Sequence, residues 1–280
     1  MSKTLSLDSR YTRLVRAFCA PKSVLLRTSS WNLFRDWLRL SWAFLNAHNE
    51  PLQFKKLGDK FSQEGEELCG EYLCTYLEMV EDFPFEDILG ALYMEIGDNI
   101  RHAGQYFTPM PICKMMAAMT MGDEDGIRGV ISKQGYINIL DPAVGSGAML
   151  LAAAGHVNEI DPGLLVKCRF YGIDLDETCV TMTRIQLRMN GLDEFGRMIR
   201  LQNMYGAAAP FMALLQPACP TTITRADALK VEWKSEQETE TEEEKGEEEK
   251  GEEGEELREL PKTKPNQTKP KSQSQQLMLF

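Results

Sequence analysis

Asp141-Pro-Ala-Val-Gly-Ser-Gly147 sets an acid and two closely spaced glycines within seven positions. Glycine lets the backbone approach a ligand and adopt turns that other residues resist. A second acid, Asp174, closes the run Arg169-Phe-Tyr-Gly-Ile173. An acid at the end of a following strand accepts hydrogen bonds from ribose hydroxyls in nucleotide sites built on parallel sheets. The pattern therefore points to a nucleoside held between a glycine loop and a carboxylate.

Which nucleoside follows from what is missing. Leu150 stands where a third glycine would complete the dinucleotide fingerprint, and no Lys-Ser/Thr pair follows in P-loop spacing. A ligand without phosphates fits best. S-adenosyl-L-methionine has ribose, adenine and an amino-acid end suited to Asp141 and the helix that follows the loop.

The elements around these residues read clearly. Tyr136–Leu140 is a short apolar run and an expected strand. Ala148–Ala154 is a small-residue helix, Arg169–Ile173 a second strand, and Glu177–Met189 a helix stopped by Asn190-Gly191. Strand, helix, strand, helix is the unit of a doubly wound parallel sheet. Met198–Leu201 and Thr222–Thr224 are weaker strand candidates. Upstream, Trp31, Phe34, Leu38, Trp42 and Leu45 recur at helical spacing, as do Leu68, Tyr72, Tyr76, Met79 and Val80, then Ile88, Leu89, Leu92, Tyr93 and Ile96. The expected fold class is α/β: a partial, doubly wound, Rossmann-like sheet over 101–234, preceded by a helical region, 1–100, and followed by an acidic disordered linker with a terminal peptide motif, 235–280.

Charge divides the chain the same way. The net charge is −11, and residues 235–260 alone hold 14 Glu against Lys245, Lys250 and Arg258. Such a run buries too little apolar surface to offset its ordering entropy. Four Lys and no acid follow in 261–280, while the first 50 residues carry eight Lys/Arg against three acids. Arg10, Arg13 and Arg16 lie at helical spacing, fitting an amphipathic core helix or, less specifically, nucleic acid phosphate. The seven Cys include no C-x-x-C pair, and the three His lack ligand spacing. That fits a reduced cytoplasm and excludes common zinc sites. The N-terminus has no secretory h-region, and no apolar run approaches the roughly 18 residues of a membrane span.

Together these residues resemble a family. Asp141–Gly147 is similar to the D-P-A-C-G-S-G cofactor motif of adenine-specific (N-6) DNA methyltransferases. Gly104-Gln-Tyr-Phe-Thr-Pro109 resembles the G-Q-[FY]-[FY]-T-P segment of type I restriction-modification M subunits, as does Asp87-Ile-Leu-Gly90 with Tyr93 before it. Tyr171-Gly-Ile-Asp174 matches the next motif. The resemblance covers about residues 85–230. It implies S-adenosyl-L-methionine-dependent methylation of adenine in DNA. It implies a cofactor site at Phe107, Thr108, Pro109, Asp141, Ala143, Gly145, Ser146, Gly147 and Asp174, with Asp227 contacting adenine and Asn203 as the alternative. It also implies DNA as partner, and a second methyltransferase or specificity subunit. Plainer roles stay open: Thr108-Pro109 as a helix start, Asp141 as a turn former, Asp174 as a cap of the next helix, Asp227 in a solvated loop.

One part of the pattern is absent. Family members hold the target amine with a [DNS]-P-P-[FYW] segment after the fourth strand, and this sequence has no Pro-Pro dipeptide. Asp82-Phe-Pro-Phe85 precedes the cofactor motifs, and Ala208-Ala-Pro-Phe211 lacks an acceptor. No catalytic residue is therefore assigned. A truncated or split enzyme and a non-catalytic, DNA-associated adaptor both follow. Without a fourth strand the Tyr136–Leu140 strand would be an apolar edge, which invites a partner. Finally, Gln276-Leu-Met-Leu-Phe280 resembles the peptide by which bacterial DNA enzymes bind the replication sliding clamp. Leu277, Leu279 and Phe280 would fill an apolar groove, and Gln276 would set the register.

Overall fold

The two strands that carry Asp141 and Asp174 lie side by side and parallel. In the computed structural model β1 is Ile137–Asp141 and β2 is Cys168–Asp174, paired from Ile137 opposite Cys168 to Asp141 opposite Gly172. The structure describes residues 8–19, 30–47, 51–59, 61, 63–96, 106–194, 198, 201, 202, 206, 221–226, 228 and 276–278. Calls on Asp227, Asn203, Leu279, Phe280 and the acidic tail lie outside them.

Among the described residues seven helices precede β1: α1 Ser9–Cys19, α2 Ser30–Leu45, α3 Pro51–Gly58, α4 Gln63–Asp82, α5 Ile88–Ile96, α6 Met110–Met121 and α7 Glu124–Gln134. After β1 come α8 (Ala148–Ile160), a 3-10 segment (Pro162–Lys167), β2, α9 (Glu177–Met189) and β3 (Thr221–Arg225). The expected βαβα order is present, with α9 bounded as the sequence implied. Asp176 caps α9 by accepting the Thr178 amide at 2.8 Å. The helices α6 and α7 were not anticipated. Met198 and Leu201 are helical, so the weak strand at Met198–Leu201 is corrected. Three apolar residues in a four-residue segment fit either period, and Leu201 is buried against Val166.

The sheet order is β3-β2-β1-β4, all parallel. β4 is Gln276–Met278, opposite Asn138–Leu140. The outer side of β1 is therefore covered over three of its five residues by the chain's own C-terminal segment. The apolar edge expected beside β1 is thus occupied by β4 over these three residues. The driving force is visible in β1 itself, every residue of which is buried. An open row of amides and carbonyls beside such a strand is unfavourable.

Two cores flank α9. One joins β1, β2, α6 and α8, with Ile137, Ile139, Phe170 and Leu150 fully buried. The other collects Phe18, Trp37 and Tyr76 of the helical region with Cys179, Met182 and Ile185 of α9. Trp37 Nε1 donates to the Cys69 carbonyl at 3.1 Å, satisfying its one polar atom. Arg10 pairs with Asp8 and Asp82, and Arg13 with Glu71, so these two basic residues are engaged within the helical region. Among the described residues no helix is long and apolar enough to cross a membrane.

Candidate functional site

Parallel strands end together, so their carboxyl ends form one rim. Asp141 ends β1, Asp174 ends β2, and Arg225 ends β3 opposite Asp174. Ligands of open parallel sheets bind outside this rim.

Asp141 is only 5% exposed. Its Oδ1 accepts the Ala143 amide at 3.0 Å, closing the turn that Asp before Pro favours. Burial pushes its carboxyl up to about 6; the Ala143 amide works against this and the Asp174 charge adds to it. A cation placed beside Asp141 would restore its ionised form.

The chain then loops from β1 into α8 through two left-handed residues, Gly145 at φ 54° and Gly147 at φ 96°. A side chain at 145 would come within 3.1 Å of the Phe107 ring, and one at 147 within 3.1 Å of Thr183. The loop is tied on several sides. The Val144 amide donates to the Ile173 carbonyl at 2.9 Å, and the Gly145 amide to Asp174 Oδ2 at 2.9 Å. Thr183 Oγ1 donates to the Gly145 carbonyl at 2.9 Å. Asp174 uses its other oxygen, Oδ1, for the Asp176 amide at 2.8 Å. The cap of α9 is thus Asp176, and Asp174 orients both the glycine loop and the turn after β2. A carboxylate has further lone pairs beyond these two bonds, so it can still receive a ligand hydroxyl.

Phe107 is half-buried, with its ring centroid 4.8 Å from that of Tyr93 on α5. Thr108 and Pro109 are exposed. Pro109 occupies the cap of α6 without a side-chain bond, and the Thr108 carbonyl accepts the Cys113 thiol at 3.4 Å. Ala143 is exposed, whereas Ser146 is 1% exposed with its hydroxyl turned inward. So Phe107, Asp141, Gly145, Ser146, Gly147 and Asp174 come together around one loop. Gln276, placed by sequence in a partner peptide together with Leu277, Leu279 and Phe280, begins β4.

Sequence reasoning missed Thr183, Gln186 and Asp87 as supports of this loop. Thr183 and Gln186 read simply as the polar residues of a helix, and nothing local marks which of them face a loop. A separate cavity of about 570 Å³ lies between α2, α9 and β3, lined by Trp42, Arg184, Arg188 and Thr222. Both guanidiniums are engaged there, Arg184 by the Ile223 carbonyl and Arg188 by the Leu45 carbonyl and Asp193. Among the described residues no cluster of His, Cys, Asp and Glu could hold a metal.

The donor set, two carboxylates at neighbouring strand ends with a close-approach loop between, fits a nucleoside with an amino-acid end. Residues 85–213 match the model of the N-6 DNA methylase family. No curated protein matches the chain.

Proposed function

We propose, from the match of residues 85–213 to the N-6 DNA methylase family, that this chain binds S-adenosyl-L-methionine and serves in methylation of adenine in DNA, as the cofactor-holding part of a short or split enzyme. The observation that carries this is the rim itself. Buried Asp141 and half-buried Asp174 stand at the ends of adjacent parallel strands, joined through the left-handed Gly145.

Each residue has a role that follows from its chemistry. Asp141 takes the ammonium of the amino-acid end, and Asp174 accepts the ribose hydroxyls. The glycines admit the ligand close to the backbone, and Phe107 shields the loop from water. Asp227 is our choice for the adenine contact. When bound, the cofactor supplies an electrophilic methyl group. The target adenine must leave the duplex stack, and its amine needs acceptors that draw off its hydrogens. This sequence has no Pro-Pro dipeptide to build the usual acceptor segment. We assign that segment to a second polypeptide, a methyltransferase or specificity subunit, working on DNA in the cytoplasm.

The second reading is a non-catalytic adaptor that keeps the cofactor fold and is recruited to DNA by the sliding clamp through Gln276, Leu277, Leu279 and Phe280. The chain's own C-terminal segment fills the position beside β1, which favours the non-catalytic part of this reading; clamp binding would require Gln276–Met278 to leave β1. Purified chain incubated with methyl-labelled S-adenosyl-L-methionine and unmethylated DNA, alone and together with a separate polypeptide that carries a [DNS]-P-P-[FYW] segment, separates the two. Label in adenine, absent with Asp141→Ala, supports the enzyme. Cofactor binding without label, and loss of clamp retention on deleting 276–280, supports the adaptor.

A further inference from the structure

Asp87 is half-buried and immediately precedes α5, yet three separate elements converge on its carboxylate. Oδ1 accepts the Gly90 amide at 2.9 Å, capping α5. The same oxygen accepts Gln186 Nε2 of α9 at 2.7 Å. Oδ2 accepts the Ser146 hydroxyl of the glycine loop at 2.7 Å. Gln186 completes the junction. Its Nε2 also donates to the Ser146 carbonyl at 2.7 Å, and its Oε1 accepts the Leu89 amide at 3.1 Å. One turn on, Asn190 Oδ1 accepts the Phe85 amide at 2.7 Å, and its Nδ2 returns to the Gln186 carbonyl.

The crowding shows how closely these groups meet. A Cβ on Gly90 would come within 2.5 Å of Ser146 Oγ and closer still to Asp87 Oδ2. Buried carboxylates are costly unless they are hydrogen-bonded, and this one has donors on both oxygens. Burial pushes the Asp87 carboxyl up, while Ser146, Gln186 and the Gly90 amide pull it down.

We propose that Asp87 is a positioning residue for the cofactor loop: acting through Ser146, it fixes Gly145–Gly147 in the ligand-ready conformation and couples that loop to the docking of α5. The inference rests on the reading of the loop as a cofactor site. It assigns the Ser146 hydroxyl to the loop's support and not to the ligand. The same helix reaches the loop a second time, since Tyr93 carries Phe107, whose ring abuts Gly145. The loop is therefore clamped between two α5-dependent contacts, one from inside the core and one from outside.

Two variants isolate the link. Ser146→Ala removes the hydroxyl but leaves the α5 cap and the Gln186 bonds. Asp87→Asn keeps an acceptor for Gly90 and removes the carboxylate. A hydrogen bond to a buried charged group commonly carries about a ten-fold effect. Calorimetry with S-adenosyl-L-methionine on the full chain should show each single variant binding about ten-fold weaker. The double variant should be no weaker than the worse single, because both changes cut one path. Amide exchange without cofactor should speed up at Gly145 and Gly147 in both variants and stay unchanged at Ile185 in α9. Multiplying effects in the double variant, or loop exchange like that of the wild type, overturns the proposal. If the unaltered chain does not bind the cofactor at all, the proposed function fails, and loop exchange still decides whether Asp87 holds the loop.

Discussion

The Gly145 amide donates to Asp174 Oδ2 at 2.9 Å, so the loop leaving one strand is pinned to the acid ending its neighbour. Substitutions at Asp174 should therefore act on loop and ligand together. Asp174→Asn keeps an acceptor for the amide and loses the charge; cofactor affinity should fall about ten-fold. Asp174→Ala also frees the loop and should cost about a hundred-fold. Titration calorimetry reads both.

Asp141 couples stability to pH in the direction opposite to that of a salt-bridged acid. Its carboxyl lies near 6 in the fold, above its ordinary value of 3.8. Between those values the folded chain holds a proton that the unfolded chain releases, so stability contributed at low pH is lost as pH rises to about 6. Asp141→Asn should be more stable than the wild type at pH 8, by about 3 kcal/mol, and should melt like the wild type at pH 4. Cofactor binding should be lost in the variant and should weaken in the wild type below pH 6. Thermal melts and calorimetry across this range check both.

Gly147 at φ 96° has Thr183 against it. Gly147→Ala should cost about 1–3 kcal/mol of stability from backbone strain and the close contact. Chemical denaturation measures it. Thr183→Val, which loses the bond to the Gly145 carbonyl while keeping the branched bulk, should cost about 1 kcal/mol.

Removing 275–280 uncovers the outer side of β1. An uncovered buried strand pairs with other chains. Sedimentation should show self-association that rises with concentration in the shortened chain and is absent in the full one. Leu277→Pro, which removes the amide of the central β4 residue, should act in the same direction.

The sequence displayed its local features well. The helix α9 was legible end to end because its stop, Asn190-Gly191, and its apolar stripe sit within it. β1, α8 and β2 were legible because strand period, small residues and glycines alternate in a short span. What escaped was non-local. Asp87 and Ser146 are 59 positions apart and Asp87 and Gln186 are 99, so no window of sequence contains that junction. β4 has three residues, too few to announce a partner. α6 mixes Met and Ala with a Pro at its second position, and that pattern carries little periodic signal.

The C-terminal strand also turns everything between Arg225 and Gln276 into a closed ring. The entropy of closing a ring grows only with the logarithm of its length, so doubling the segment would cost about 0.6 kcal/mol. The Glu-rich stretch is thus almost unconstrained in length: it can be lengthened, shortened or interrupted by an inserted domain while the sheet keeps its outermost strand. What must stay is a segment able to pair with Asn138–Leu140.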